Sequence, residues 1–474
     1  MSAFLPAFTH IHPAMPTKRD ASERRQDFGE IYREFAAQKA GEQASRCSQC
    51  GVPFCQNHCP LHNNIPDWLR LTAEGRLREA YQLSTATNPL PEICGRVCPQ
   101  DRLCEGSCVI EQSGHGSVTI GAVEKYLTET AFEQGWVSPR LPRIEKSAHI
   151  GIVGAGPAGM AAAEALRFYG YQVTIYDRYD RPGGLLTYGI PNFKLEKNIV
   201  LRRADLLAAQ GVKFCLNTEI GRDISLQQLQ QRHDALLLAG GVYAARSLHI
   251  NGAEPQGLLK ALDYLTESTK AVLEKRDALP TLNAKGRDVV VIGGGDTAMD
   301  CLRTAIRQQA NSVTCLYRRD AANMPGSRRE VKSAEEEGVV FRFLAAPESF
   351  TSDASGIKTV RYQTMTLEGR DATGRLIAIP AASAPIELPA QMVIAALGYD
   401  ADDYQTMYEQ PNLRLSRWGT VSVQGLSTAT NIAGIFAAGD MVRGGSLVVW
   451  AVKDGLQAAE DIKAFVEHQQ AKAS

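Results

Sequence analysis

The chain has 474 residues, 44% hydrophobic and 22% charged, with a formal net charge of -1 at pH 7. That length exceeds a single core and predicts two to four globular domains. The balanced charge excludes a strong global field for nucleic acid or an anionic membrane. No stretch approaches the ~20 apolar residues of a membrane span. The first residues, MSAFLPAFTHIHPAMPTKRD, lack the basic-then-apolar order of a signal peptide. A cytoplasmic setting with reduced thiols is expected, and there clustered cysteines bind metal more often than they form disulfides.

Eight of the eleven cysteines fall between positions 47 and 108. The first run is Cys47-x2-Cys50-x4-Cys55-x3-Cys59-Pro60; the second is Cys94-x3-Cys98-Pro99, followed by Cys104 and Cys108. Structural zinc takes four ligands, usually as two short pairs. Iron–sulfur clusters take about four thiolates each, and a Cys-Pro often closes the run. The first and last gaps of the first run match the ferredoxin pattern and the middle gap does not, so the pattern is related rather than identical. Iron–sulfur ligation is favoured over zinc. By ferredoxin logic Cys47, Cys50 and Cys55 share one cluster with a later cysteine, and Cys59 crosses to the other; spacing does not decide which later cysteine goes where. Around the cysteines, residues 64–84 and 123–136 carry apolar positions at helical intervals. Trp68, Leu71 and Leu77 read as a core face.

After a linker containing Pro139 and Pro142 comes HIGIVGAGPAGMAAAEALRFYGYQVTIYDR. A strand (150–153), the turn Gly154-x-Gly156-x-x-Gly159, an alanine-rich helix and a second strand ending at Asp177 follow in order. This is the layout of a dinucleotide-binding unit. Gly154 permits the turn, Gly156 lets backbone approach a pyrophosphate, and Gly159 lets helix and strand pack closely. Asp177 stands where an acid accepts a ribose hydroxyl. A second unit begins with the strand 288–292 and the turn Gly293-x-Gly295-x-x-Ala298. Its second strand, SVTCLY, ends in Arg318 and Arg319 instead of an acid. Paired arginines suit a 2′-phosphate, so this unit should prefer NADPH, and the acid-bearing unit FAD. Arg328 and Arg329 are candidates to reinforce the phosphate site, while Cys301 and Cys315 read as core packing. Near the C-terminus, GIFAAGDMVRGG supplies a strand followed by Gly439 and Asp440; in two-dinucleotide flavoproteins such a segment returns to the first unit and places an aspartate at the flavin's phosphate–ribityl region, and the same is expected here.

Taken together, RCSQCGVPFCQNHCPLHNNIPDWL, EICGRVCPQDRLCEGSC, VGAGPAGMAAAE, GGLLTYGIPNFKLEK, VIGGGDTAMDC, YRRDAANMPGSRREV and IFAAGDMVRG resemble the small (beta) subunit family of bacterial NADPH-dependent glutamate synthase, over essentially the whole chain. The resemblance implies an α/β fold: an N-terminal helical iron–sulfur domain, then two Rossmann-like dinucleotide-binding domains similar to glutathione and adrenodoxin reductase. The expected divisions are 1–145 for the iron–sulfur domain, 146–280 and 391–474 for the FAD domain, and 281–390 for the NADPH domain. It further implies FAD, NADPH and two [4Fe-4S] clusters, and a hetero-oligomer with a large (alpha) subunit that makes L-glutamate from glutamine and 2-oxoglutarate. Cys47, Cys50, Cys55 and Cys108 would hold one cluster; Cys59, Cys98 and Cys104 would hold the other. In the related dihydropyrimidine dehydrogenase the eighth ligand is a glutamine, and Glu124 occupies about that position here, which would leave Cys94 a bystander.

No nucleophile or acid–base pair is expected, because cofactors carry the chemistry. Gly183, Gly184 and the stretch 187–191 are expected to shape the flavin pocket. A helix after Gly445 is expected to aim its positive end at the reduced flavin. The alternatives are an NADPH:ferredoxin-type or dihydropyrimidine dehydrogenase-like reductase subunit and, from another class, a zinc-filled scaffold with a vestigial nucleotide fold.

Overall fold

The computed structural model describes residues 6–248, 255–371 and 374–473. Short helices occupy the chain up to Glu133, and two parallel sheets with their helices follow. The apolar positions of 64–84 form two helices, Ile65–Ala73 and Leu77–Thr85. Gly75 separates them at φ +75°, a left-handed conformation that costs glycine least. The third helical stretch spans Ile120–Glu133. Trp68, Val123 and Leu127 are fully buried where these helices meet, as their spacing requires. Cys47, Cys55, Cys59 and Cys104 pack against this same small core, so the helices act as a frame for the cysteine loops.

The first parallel sheet runs Ile435–Ala437, Ala235–Leu238, His149–Val153, Gln172–Tyr176, Lys213–Cys215. Its strands are near-continuous apolar runs because helices cover both faces. The strand Ile435–Ala437 comes from far along the chain and closes this sheet beside Ala235–Leu238. The following helix, Val448–Ala473, lies on the helix Pro157–Phe168. Their approach depends on Gly455, where a Cβ would sit 2.2 Å from the Ala158 carbonyl oxygen.

The second parallel sheet runs Leu258–Lys260, Met392–Ala395, Asp288–Ile292, Ser312–Tyr317, Val340–Phe343. Two of these strands lie outside the span 281–390 expected for that unit. A central strand such as Asp288–Ile292 needs a neighbour on each side, and Met392–Ala395 supplies the second one. The runs are three and four residues long, too short to carry a periodic signal. Between these strands, residues 345–371 and 374–389 form a separate antiparallel sheet built on the long strand Gly356–Arg370.

The cysteine-bearing domain joins the first sheet unit through an apolar seam that includes Leu90, Ile93, Leu186 and Val449. Within it Arg203 grips Glu92 with two parallel hydrogen bonds, 2.6 and 2.9 Å long. Glu92 is wholly buried and Arg203 is 3% exposed. Removing Glu92 leaves the buried Arg203 guanidinium with Glu164, 3.8 Å away, as its remaining acidic neighbour, a much poorer partner than the paired hydrogen bonds. Glu92→Ala should therefore cost about 3–5 kcal/mol and free the two domains. Chemical denaturation should show the loss, and proteolysis should newly cut the exposed linker near Leu141 and Ile144.

Candidate functional site

The first glycine turn is shaped by contacts that exclude side chains. Gly154 has φ +109°, and a Cβ there would lie 2.3 Å from the Ala239 oxygen. At Gly159 a Cβ would lie 2.0 Å from the Gly154 oxygen. Gly156 is different: its φ is an ordinary -74°, and a Cβ would meet no protein atom within 4 Å. Nothing in the protein itself calls for glycine there, so the space beside it fits a ligand that must touch backbone. Gly183 and Gly184 both have positive φ, and Gly184 backs onto the Gly156 Cα, where a Cβ would be 3.0 Å away. The loop expected to shape the flavin pocket therefore packs directly on the dinucleotide turn. The Asp177 carboxylate accepts the backbone N–H groups of Ala155 at 2.7 Å and Tyr179 at 2.8 Å. Burial pushes its pKa up while those N–H groups pull it down. It faces the cavity with lone pairs to spare for a hydroxyl.

Gly439 has φ +74° and precedes the short helix Asp440–Arg443. The Asp440 carboxylate accepts the Ser446 N–H and hydroxyl, and burial raises its pKa. Asp440, Leu447 and Val448, at the start of the long C-terminal helix, line the same cavity as Gly154, Gly156 and Asp177.

At the second turn Gly293 has φ +142°, and a Cβ would be 2.3 Å from the Ala396 oxygen. Gly295 repeats the logic of Gly156: φ is -88° and nothing lies within 4 Å of a Cβ. Ala298 is fully buried beneath the turn. The two arginines diverge. Arg318 is exposed and makes no hydrogen bond or ion pair with any described residue. Arg319 is spent in part on structure, its Nε donating to the Leu376 carbonyl at 2.7 Å. Arg329 is an ion-pair partner of the buried Glu105 and lines the same cavity as Gly154 and Asp177, whereas Arg328 stays exposed. Cys301 and Cys315 are buried in the second unit's core, as expected.

The eight N-terminal cysteines are free thiols that fall into two neighbourhoods. Cys47, Cys50, Cys55 and Cys108 lie close to one another. Cys59, Cys94, Cys98, Cys104 and Glu124 line one enclosed cavity. Burial pushes the thiols of Cys47 and Cys59 up to about 11 and that of Cys55 up to about 12. Cys98 is raised first by its contact with Cys94 and then by burial, and Cys104 by burial. Glu124 is 9% exposed, receives one hydrogen bond from Asn88, and is pushed by burial up to about 8. Among the described residues no lysine, arginine or histidine lines this cavity. Thiols and a carboxyl packed together without a cation are a donor set whose charge a metal cluster offsets. Among the described residues no three His, Cys, Asp or Glu side chains converge as ligands of a single ion.

Residues 24–136 match the family described as dihydropyrimidine dehydrogenase domain II, 4Fe-4S cluster, and residues 148–455 match the pyridine nucleotide-disulphide oxidoreductase family. The chain is 57% identical over 465 residues to the glutamate synthase [NADPH] small chain of Azospirillum brasilense, covering 97% of this chain and 96% of that one. The chain belongs to this small-chain family. The Escherichia coli (strain K12) glutamate synthase [NADPH] small chain is 43% identical over 477 residues, covering 98% of this chain and all of its own length. The structure of Mycobacterium tuberculosis FprA in complex with NADPH superposes with TM-score 0.56 at 20% identity, over 69% of this chain and 86% of that one, which is a likeness of fold. As a member of the small-chain family, the protein is a pyridine-nucleotide oxidoreductase with an N-terminal 4Fe-4S domain. The zinc-scaffold reading is thereby set aside.

One residue escaped the sequence reading. Lys197 is 1% exposed, and its Nζ donates to the carbonyls of Leu186, Ile190 and Leu195 at 2.9, 2.6 and 2.8 Å. Burial pulls its pKa down to about 7, yet three acceptors match the three N–H bonds of an ammonium. The residue ties together the loop behind the first turn, and nothing local in the sequence marks it. Lys197→Met should leave three carbonyls unpaired at roughly 1–3 kcal/mol each; loss of flavin on gel filtration would register the loosened loop. At the second turn, Arg318→Ala should weaken NADPH binding by about 10–100-fold, the worth of hydrogen bonds to a charged group, and leave NADH nearly untouched. Arg319→Ala should have the smaller effect. Equal losses for the two nucleotides, measured by titration, would rule out Arg318 as the phosphate ligand.

Proposed function

We propose that this chain is the electron-input subunit of a glutamate synthase, taking reducing equivalents from NADPH and delivering them to a large partner that makes L-glutamate from glutamine and 2-oxoglutarate. The observation that carries this reading is the sharing of residues between two cavities. Cys98 and Gln100 line both the long cavity, walled by Gly154 and Gly156 of the first turn and by Asp296 just after the second, and the cysteine cavity. When bound, FAD accepts hydride from NADPH and two [4Fe-4S] clusters carry the electrons away singly.

The residues divide the work by position. Gly154, Gly156, Gly159 and Asp177 hold FAD, with Gly183, Gly184, Gly439 and Asp440 closing around it. Gly293, Gly295 and Ala298 form the NADPH turn, with Arg318 as the main 2′-phosphate contact and Arg319 as a lesser one. Cys47, Cys50, Cys55 and Cys108 form the donor set that has no member on the wall of the long cavity. Cys59, Cys98 and Cys104 form the inner set, with Glu124 as its fourth member. Glu124 and Cys94 stand around the same cavity, and the carboxyl, which lacks any cationic partner, is the better candidate. Val449, 2% exposed, lines the cysteine cavity, and its neighbour Val448 lines the long one.

The test is anaerobic reconstitution of the full chain with its cofactors and the large subunit. NADPH oxidation should then require both glutamine and 2-oxoglutarate. In Cys98→Ser, NADPH should still bleach the flavin absorbance while glutamate formation falls to background. Reduction of ferredoxin or dyes alone, with no dependence on either substrate, would instead make the chain a general NADPH reductase subunit.

A further inference from the structure

A third group approaches the second dinucleotide turn from outside both sheet units. Arg102 belongs to the cysteine-bearing domain, at the end of the short turn Gln100–Arg102 between Cys98 and Cys104. Its Nη1 donates to the Pro325 carbonyl at 2.8 Å and its Nη2 to the Asp296 carboxylate at 3.2 Å. Asp296 is the first residue of the helix Asp296–Arg307, directly after Gly295, and it lines the long cavity. Its other oxygen accepts the Ser327 N–H at 2.8 Å.

This arrangement poses an electrostatic problem. A helix N-terminus attracts an anion, and a dinucleotide pyrophosphate would take that place. Asp296 already puts a negative charge there. A pyrophosphate arriving beside it meets repulsion unless a cation intervenes. Arg102 is the cation bonded to Asp296. The pair also contributes little as a fastener. The two side chains are 46% and 39% exposed, and ion pairs in contact with water add little stability. The neighbouring pair Arg329–Glu105, with Glu105 1% exposed, fixes the same segment far better. A half-exposed arginine held by one carbonyl and one exchangeable carboxylate is suited to swap partners.

We infer that Arg102 is an NADPH-binding residue supplied by the iron–sulfur domain, exchanging Asp296 for the nucleotide's pyrophosphate. The carbonyl of Pro325 keeps the guanidinium aimed at the turn during the exchange. A guanidinium pairs with phosphate through two parallel hydrogen bonds, which a lysine cannot reproduce. NADPH and NADH share this pyrophosphate, so Arg102 acts on both, unlike Arg318. The inference rests on the second turn being the NADPH site.

The experiment is equilibrium titration of the full, cofactor-loaded chain with NADP+ and NAD+, under anaerobic conditions, with iron and flavin content measured for each variant. Arg102→Gln should weaken both nucleotides by the same factor, about tenfold or more for the loss of a charge-assisted contact. Arg102→Lys should restore only part. Asp296→Asn keeps an oxygen for the Ser327 N–H and removes the competing charge, so it should tighten both. Unchanged affinity in Arg102→Gln overturns the inference. Should that variant fail to load its clusters, Asp296→Asn decides, and unchanged or weaker binding overturns it. Failure of the unaltered chain to bind NADP+ would refute the nucleotide site itself, whereas normal binding unaffected by Arg102→Gln refutes only the role of Arg102.

Discussion

Glu92 and Arg203 meet across a domain seam from which water is excluded, and the relative position of the two cavities depends on their staying together. Two charges taken out of water repay the cost only with near-ideal geometry, and the parallel hydrogen bonds supply it. The apolar residues around the pair, Leu90, Ile93, Leu186 and Val449 among them, hold the surfaces in register. With the seam fixed, Cys98 lies on the wall of both cavities. Electron transfer between centres needs proximity and no chemical intermediary. A rigid, dry boundary is therefore a functional part as much as a structural one.

A second consequence concerns the long C-terminal helix. Gly455 lets it lie against the helix that follows the first glycine turn. Its first residues face the cavity, and Val449 reaches the cysteine side. One helix thus touches the flavin-type site, the cysteine cavity and the core of the first sheet. This explains why the chain must return from the second unit to the first before it ends. The closing strand Ile435–Ala437 and the helix behind it complete a sheet that the first half leaves open at one edge.

The parts legible in the sequence were those whose constraint is local. The two glycine turns declare themselves because a close backbone approach is decided within a few residues, and the strands around them fell where the apolar runs placed them. The helical frame was legible in its apolar spacing, although Gly75 divides what reads as one helix. The strands Leu258–Lys260 and Met392–Ala395 were not legible, since they are short and owe their state to pairing with distant neighbours. The arginines show the same limit. Arg318 and Arg319 are equivalent in sequence, and only the fold decides that Arg319 holds the Leu376 carbonyl while Arg318 stays open.

Position 94 carries the same lesson into the iron–sulfur domain. Cys94 is buried, touches Asn88 through its sulfur at 3.7 Å, and stands in the same cavity as Cys98 and Glu124. Asn88 also bonds Glu124 at 3.2 Å. One amide therefore orients both contenders for the inner set. If the carboxylate takes the fourth position, Asn88 steadies it and Cys94 remains a buried side chain packed beside it. If the thiol took it, a buried carboxyl would remain with an amide as its sole side-chain partner. It would then have to stay protonated at neutral pH, consistent with a value near 8. Either ligand would meet the cluster as an anion, a carboxylate or a thiolate; only the second arrangement leaves a buried carboxyl with no cation beside it. The cavity thus sets a buried carboxyl that has no cationic neighbour beside the cysteine that sequence clustering makes the more inviting ligand.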